Sequence, residues 1–296
     1  MMRNGVPEPG DAVNEEDAME ISGNTRLIAH LGYPTTTFKA PMIYNPWFEE
    51  QGIDIKVVPM GVKGEDYAQM IPSLFRLTNI VGALVTMPHK VSTCDLVQSL
   101  SPTAQIAGAC NAIRREADGS LRGDMFDGDG FVRGVLRKGI QVKGARALVV
   151  GCGGVGSAIA ASLAAAGVDT LALFDNRTAS SEELAKRLRR HYPWLTVQTH
   201  LRNPKAFSIV VNATPLGMNA GDELPMDMSA ITPGSFVGEV VMKSEITPFL
   251  RAALERDCQI QPGTDMLFEM IPAYMEFFGL PEVTPEALRR VAKIDY

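Results

Sequence analysis

Six residues, Gly151-Cys152-Gly153-Gly154-Val155-Gly156, constrain this chain more than any others. The apolar run Ala147–Val150 leads into them, an Ala-rich stretch from Ser157 to Ala166 follows, and Gly167 ends it. A second apolar run, Leu171–Phe174, closes on Asp175. Strand, Gly-x-Gly-x-x-Gly, helix, strand and acidic residue, in that order, make up the dinucleotide-binding fingerprint of a Rossmann unit. Gly151 suits the tight turn, Gly153 lets backbone approach a pyrophosphate, and Gly156 lets the helix lie against the strand. At Gly154 and Val155 the helix N-terminus offers unpaired N–H groups to phosphates. A turn that uses its glycines for packing alone is the competing reading.

The length, 296 residues, suits two domains, and 46% hydrophobic content supplies their cores. A net charge of −6 provides no basic footprint for nucleic acid. No apolar run approaches the ~20 residues of a membrane span. Met1–Ser22 is acidic and lacks the apolar segment of a secretory signal, so a flexible tail is expected over 1–22. Cys94, Cys110, Cys152 and Cys258 are scattered without CxxC spacing, which argues against a disulfide frame or a metal site and for a cytoplasmic setting.

Elsewhere short apolar runs alternate with helical periodicity, the pattern of a largely parallel α/β sheet. Strands are expected at Arg26–Leu31, Ile53–Met60, Val81–Thr86, Cys110–Ile113 and around Leu121. Helices are expected at Pro41–Glu50, Asp66–Leu77 and, interrupted near Pro102, Leu96–Ala109, with Lys90 at a helix start. Gly123–Gly130, carrying Asp124, Asp127 and Asp129, reads as a loop before a helix over Phe131–Lys138. Beyond the fingerprint, strands are expected at Leu195–Gln198, Ser208–Ala213 and Ser235–Val241, and helices at Ser180–His191, Thr247–Asp257 and Thr264–Phe278, before Glu286–Lys293 closes the chain.

Val85-Thr86-Met87-Pro88-His89-Lys90 resembles the "TVPxK" segment of the shikimate dehydrogenase family, Gly108–Ala112 its "GAVNT", and Gly123–Gly128 its "GDNTDG". The glycine loop, Asn176-Arg177-Thr178, Asn212-Ala213-Thr214 and Thr247-Pro248 match in order, so the resemblance spans about residues 26–290. It implies an N-terminal α/β substrate domain over 23–124, rejoined by the helices of 265–296. A C-terminal Rossmann domain over 125–264 would face it across a cleft. The implied activity is NAD(P)-linked oxidation of a ring hydroxyl, or the reverse reduction, on a small-molecule substrate, in a monomer or homodimer. Lys90 and Asp127 take the catalytic positions, with Thr86 and Asn111 against the substrate. The cofactor positions are Gly151, Gly153, Gly154, Val155, Gly156, Asp175, Asn176, Arg177, Thr214, Val240 and Gly263. Chemically, a lysine in a cleft can exchange a proton with the substrate oxygen while Asp127 holds both in place.

The departures are specific. Where the family carries Ser-x-Ser to hold a carboxylate, this chain has Phe38-Lys39-Ala40. Met125-Phe126 replace the Asn-Thr of "GDNTDG", Met242 stands for a tyrosine and Met270 for a glutamine. Each lost hydrogen bond to a charged group removes roughly 1–3 kcal/mol, and apolar side chains do not repay a carboxylate's desolvation. The expected substrate is therefore less polar than shikimate, a vicinal diol for example, with Phe38, Ala40, Met242 and Met270 along its site. An anion held by Lys39 or Thr35–Thr37, in an authentic shikimate or quinate dehydrogenase, is one alternative. A non-catalytic dinucleotide-binding regulator is another. Asp175 suits a ribose 2′-hydroxyl and so favours NAD. Arg177-Thr178 resembles the family's NADP-binding segment but lacks a second basic residue at Ser180-Ser181-Glu182, which leaves NADP as the alternative.

Overall fold

Two six-stranded sheets organise the chain in a computed structural model that describes residues 21–294. The expected tail, up to residue 20, lies outside the described residues. The first unit contains β1 (Arg26–Gly32), α1 (Pro41–Glu50), β2 (Ile55–Gly61), α2 (Gly64–Leu74), β3 (Ile80–Val85), β4 (Ser99–Leu100), α3 (Pro102–Ala107), β5 (Ala112–Arg115) and β6 (Leu121–Asp124). Its sheet runs β2-β1-β3-β5-β6-β4. The β1–β3 and β1–β2 pairs are parallel and the β5–β6 hairpin is antiparallel. α4 (Asp127–Arg137) leads into β7 (Arg146–Val150), α5 (Gly154–Ala165), β8 (Thr170–Phe174), α6 (Thr178–His191), β9 (Thr196–Thr199), β10 (Ile209–Asn212), β11 (Phe236–Glu239), α7 (Pro248–Leu254) and β12 (Gln259–Gln261). This second sheet, β12-β11-β10-β7-β8-β9, is parallel throughout. Its strand order reverses between β7 and β10, the switch point where doubly wound sheets bind ligands.

Both sheets are buried on two faces, which explains strands that read as near-continuous apolar runs. Ile28, Val57 and Leu84 pack under α1 and under the closing helices α8 (Gly263–Glu269), α9 (Ile271–Phe278) and α10 (Pro285–Val291). Ala29, Leu31 and Ala83 pack under α2. The end of the chain therefore returns to the first sheet. Arg137 pairs with Glu269 and Glu286, and Lys138 and Arg289 share Asp265, fastening α8 and α10 to α4. No helix of the described residues is long and apolar enough to cross a membrane.

Several expectations change. Residues 123–130 are not a loop: Asp124 ends β6, while Asp127 and Asp129 form the first turn of α4. The glycines that suggested a loop are contact positions. A Cβ on Gly128 would run into the Ala158 carbonyl of α5, and one on Gly130 would meet Met270. Lys90 sits in a turn before a single 3-10 turn, Ser92–Asp95, rather than at a helix start. Leu96–Leu100 is not helical, because Ser99 and Leu100 pair with β6 and Ser101 caps α3. The helix expected over Thr264–Phe278 is broken between Glu269 and Ile271, just before Pro272.

Candidate active site

The turn after β3, the loop before β5 and the start of α4 meet at one point. The Lys90 ammonium lies 2.6 Å from Asp127 Oδ2, and the Asn111 amide donates to Asp127 Oδ1 at 2.9 Å. Asn111 Oδ1 in turn accepts the Phe126 backbone N–H at 2.9 Å, which fixes the orientation of the amide. The backbone is equally tied: Cys110 N–H donates to the Lys90 carbonyl at 2.7 Å and Val85 N–H to that of Asn111 at 2.8 Å. Asp127 is buried, with 5% of its side chain exposed, whereas Lys90 keeps 21%. A carboxylate that is dry and doubly bonded beside a partly open ammonium is an arrangement that positions a proton donor at a cleft.

Thr86 stands at the rim. Its N–H donates to the Leu31 carbonyl and its carbonyl accepts from His89. Below it, the His89 ring stacks on Tyr67 at 3.9 Å and bonds the Val62 carbonyl at 2.8 Å, bracing the turn that carries Lys90. Phe38 is half-buried; its ring lies 4.1 Å from that of His30. A Cβ built on Gly32 would run into Phe38 Cζ and the Thr86 methyl, so these residues pack closely at the end of β1. Ala40 precedes α1 and packs on the core of the first sheet.

The remaining apolar replacements differ in their surroundings. Met125 is 1% exposed, buried with Ala104, Ala107, Ala109 and Ala158. Phe126 packs edge-on against Tyr274 and Phe277. Met125 is a core residue and Phe126 is half-buried against the aromatic side chains of α9, so packing accounts for both replacements. Met242 is 41% exposed in the segment after β11. Met270 packs against Gly130, one turn of α4 beyond Asp127. A cavity of about 480 Å³ opens on another face of α4, lined by Asp129 and Arg133 among others, and excludes Lys90 and Asp127.

The cofactor positions gather at the carboxyl edge of the second sheet. Gly151 has φ +100° and presses on Ala213, where a Cβ would come 2.6 Å from the carbonyl oxygen. A Cβ on Gly156 would run into the Gly151 carbonyl. Gly153 and Gly154 are exposed, and nothing lies within 4 Å of a Cβ on Gly153, which leaves the backbone open for a diphosphate. Val155 follows, half-buried, at the start of α5. Thr214, after β10, hydrogen-bonds Asn212 at 2.6 Å. Gly263, after β12, presses on Val240 and Val241. Gly154 lies against Ala109, two residues from Asn111, which brings the loop close to the segment that carries the Lys90 cluster.

Asp175 behaves differently from the simple expectation. Its Oδ2 accepts the Cys152 N–H and its Oδ1 the Arg177 N–H, both at 2.8 Å. It braces the glycine loop. Asn176 and Arg177 are exposed beside it, the Arg177 side chain at 81%.

Three buried groups escaped the sequence reading. His30 is 8% exposed, and burial together with the charge of Lys90 pushes its ring down to about 4. Tyr274 donates to the Asn111 carbonyl at 3.4 Å. Glu239 ends β11 completely buried, accepting from Thr247 at 2.7 Å, and burial pushes its carboxyl up to about 7. The only signal for His30 is a polar residue inside the apolar run of β1.

Comparison with known proteins gives consistent matches. Residues 31–113 match a family model described as the shikimate dehydrogenase substrate binding domain. Residues 137–200 match one described as the ThiF family. The chain is 33% identical over 284 residues to the shikimate dehydrogenase (NADP(+)) of Acidiphilium cryptum, covering 94% of this chain and 99% of that one. It is similar to the shikimate 5-dehydrogenase of Listeria monocytogenes solved with shikimate and NAD, with a TM-score of 0.85, 25% identity, and 92% and 97% of the two chains covered. A 5-ketofructose reductase of Gluconobacter shares the fold, with a TM-score of 0.84 over 92% and 99% of the chains at 22% identity.

Proposed function

The chain belongs to the shikimate dehydrogenase family and is an NAD(P)-dependent oxidoreductase acting on a CH–OH group, and we propose that its substrate is an uncharged vicinal diol or hydroxy-ketone, less polar than shikimate. The observation that carries this is Phe38. Its ring rests on His30 at the end of β1, where the family's first serine would stand. A phenyl ring there and a methyl at Ala40 supply no donor for a carboxylate, and a carboxylate desolvated without donors is strongly disfavoured. The 5-ketofructose reductase supports the choice of probe only, since its likeness is one of fold.

In this reading residues 23–124 with 265–296 hold the substrate and 125–264 the cofactor, in a cytoplasmic enzyme. Lys90 gives a proton to the substrate oxygen in reduction and takes it back in oxidation, while Asp127, steadied by Asn111, keeps the ammonium aimed. Thr86 lies beside the same oxygen. A bound nicotinamide supplies the hydride. Gly151–Gly156, Thr214, Val240 and Gly263 form its cradle. We assign NADP ahead of NAD. Asp175, which would favour NAD by facing a ribose 2′-hydroxyl, accepts two backbone amides, and the exposed Arg177, its Nε 4.0 Å from Asp175 Oδ1, stands beside it to meet a 2′-phosphate.

The test is a panel: NADP and NAD each with shikimate, quinate and cis-1,2-cyclohexanediol, and NADPH with 5-ketofructose. The proposal expects the best kcat/KM on a neutral probe. Best turnover on shikimate or quinate would establish the second reading, favoured by the names of the relatives, in which the carboxylate is held by residues other than 38 and 40.

A further inference from the structure

One buried polar group in the cleft has no assigned task. His30 lies on β1 two residues before Gly32, and strand alternation puts both on one face with Ile28. Its register partner on β3 is Leu84, two residues short of Thr86. Its ring is covered by Phe38, and its Nδ1 is buried with no hydrogen-bond partner among the described residues. Gly32, on the same face, lies against both the Phe38 ring and the Thr86 methyl, so the imidazole sits beneath the residues that lead into the turn of Lys90. The ring stays neutral at ordinary pH and offers one donor and one acceptor. The unpartnered Nδ1 donates or accepts according to tautomer, and so matches a hydroxyl, which does both. It matches a carboxylate poorly, since a carboxylate only accepts and gains most from a charged partner.

We propose that His30 is a specificity-determining residue that hydrogen-bonds the hydroxyl on the carbon next to the reacting one. This rests on the neutral-substrate reading above. The reacting oxygen belongs to Lys90; the neighbouring hydroxyl falls to the imidazole, and Phe38 keeps water from competing for it. Substrates with two adjacent oxygens are thereby separated from simple alcohols.

The experiment compares kcat/KM for cis-1,2-cyclohexanediol with that for cyclohexanol, which lacks the second hydroxyl, in wild type, His30→Leu and His30→Asn. NADPH affinity, read by titrating the fluorescence of the reduced nicotinamide, serves as the control for folding. Wild type should prefer the diol, His30→Leu should lose about tenfold or more of that preference while its rate on cyclohexanol holds, and His30→Asn should restore much of it. If His30→Leu does not fold, the imidazole nitrogens are read in wild type. There are four histidines to resolve, and the His30 signal should shift when diol, but not cyclohexanol, is added to the NADP complex. An unchanged preference in His30→Leu, or an unmoved His30 signal, overturns the proposal and leaves the neutral-substrate reading standing. A wild type that turns over shikimate and neither neutral probe, or none of the three, removes both.

Discussion

Lys90 and Asp127, 37 residues apart in sequence, are joined by a 2.6 Å ion pair between a turn of one sheet and the first turn of the helix that leads to the other. The pair therefore depends on how closely α4 docks, and α4 docks through glycine. The Lys90–Asp127 geometry is tied to packing at Gly128.

Lys90→Ala should lower kcat about a hundredfold to ten-thousandfold, the usual span for losing a positioned proton donor. Cofactor affinity should stay near wild type, because Gly151–Gly156 makes no use of Lys90. Steady-state rates and a nucleotide titration on the same preparation check both. A parallel loss of nucleotide affinity would place Lys90 in the cofactor site instead.

Gly128→Ala should destabilise the fold by about 1–3 kcal/mol, the range for overpacking, since the added methyl meets the Ala158 carbonyl. Gly64→Ala is the contrast. Gly64 opens α2 with nothing within 4 Å of its Cβ, so that change should be neutral or stabilising by up to about 1 kcal/mol. Urea unfolding midpoints of the two variants should move in opposite directions, or only the first should move.

Glu239 sets a pH dependence of stability. Its folded-state value is raised from 4.5 to about 7, by burial first, with the Thr247 and Asn212 hydrogen bonds offsetting part of it. Unfolded, the group ionises near 4.5. Between those values the unfolded chain sheds a proton that the folded one keeps, so stability falls as pH rises from about 4.5 to 7 and the loss is complete above that. The ceiling is about 3 kcal/mol. Glu239→Gln should therefore raise the melting temperature at pH 8, and the advantage should shrink to nothing by pH 4.5. An advantage that did not change with pH would remove the ionisation from the explanation.

Arg177→Ala should weaken NADP about tenfold or more and leave NAD within about twofold, as expected for loss of a charge-assisted contact to a 2′-phosphate. Equal effects on both nucleotides would mean that Arg177 serves the fold rather than the phosphate.

What could be read in advance was local. Gly151–Gly156 and Asp175 lie within one strand–turn–helix–strand unit, and Lys90, Asn111 and Asp127 sit in short motifs whose residue types survive. What could not be read depends on packing partners distant in sequence. The glycines of α4 looked like loop punctuation because Ala158 and Met270, which they accommodate, are 30 and 140 residues away. Met125 looked like a replaced ligand until its alanine neighbours on α3 and α5 were in place. β12, only Gln259-Ile260-Gln261, carries no strand signal, and it forms because β11 presents an edge to pair with. His30 and Glu239 are polar residues inside apolar strands, and only the tertiary structure tells whether such a residue is bonded or bare.

The central claim is that Phe38 and Ala40 turn this site away from carboxylates. Its most direct measurement is the ratio of kcat/KM for shikimate to that for cis-1,2-cyclohexanediol, in wild type and in the double variant Phe38→Ser/Ala40→Ser. If Phe38 and Ala40 exclude a carboxylate, the ratio is below one in wild type and rises about tenfold or more in the double variant, as two hydroxyl donors return. A wild type that already favours shikimate, or a ratio that both serines leave unchanged, would contradict it.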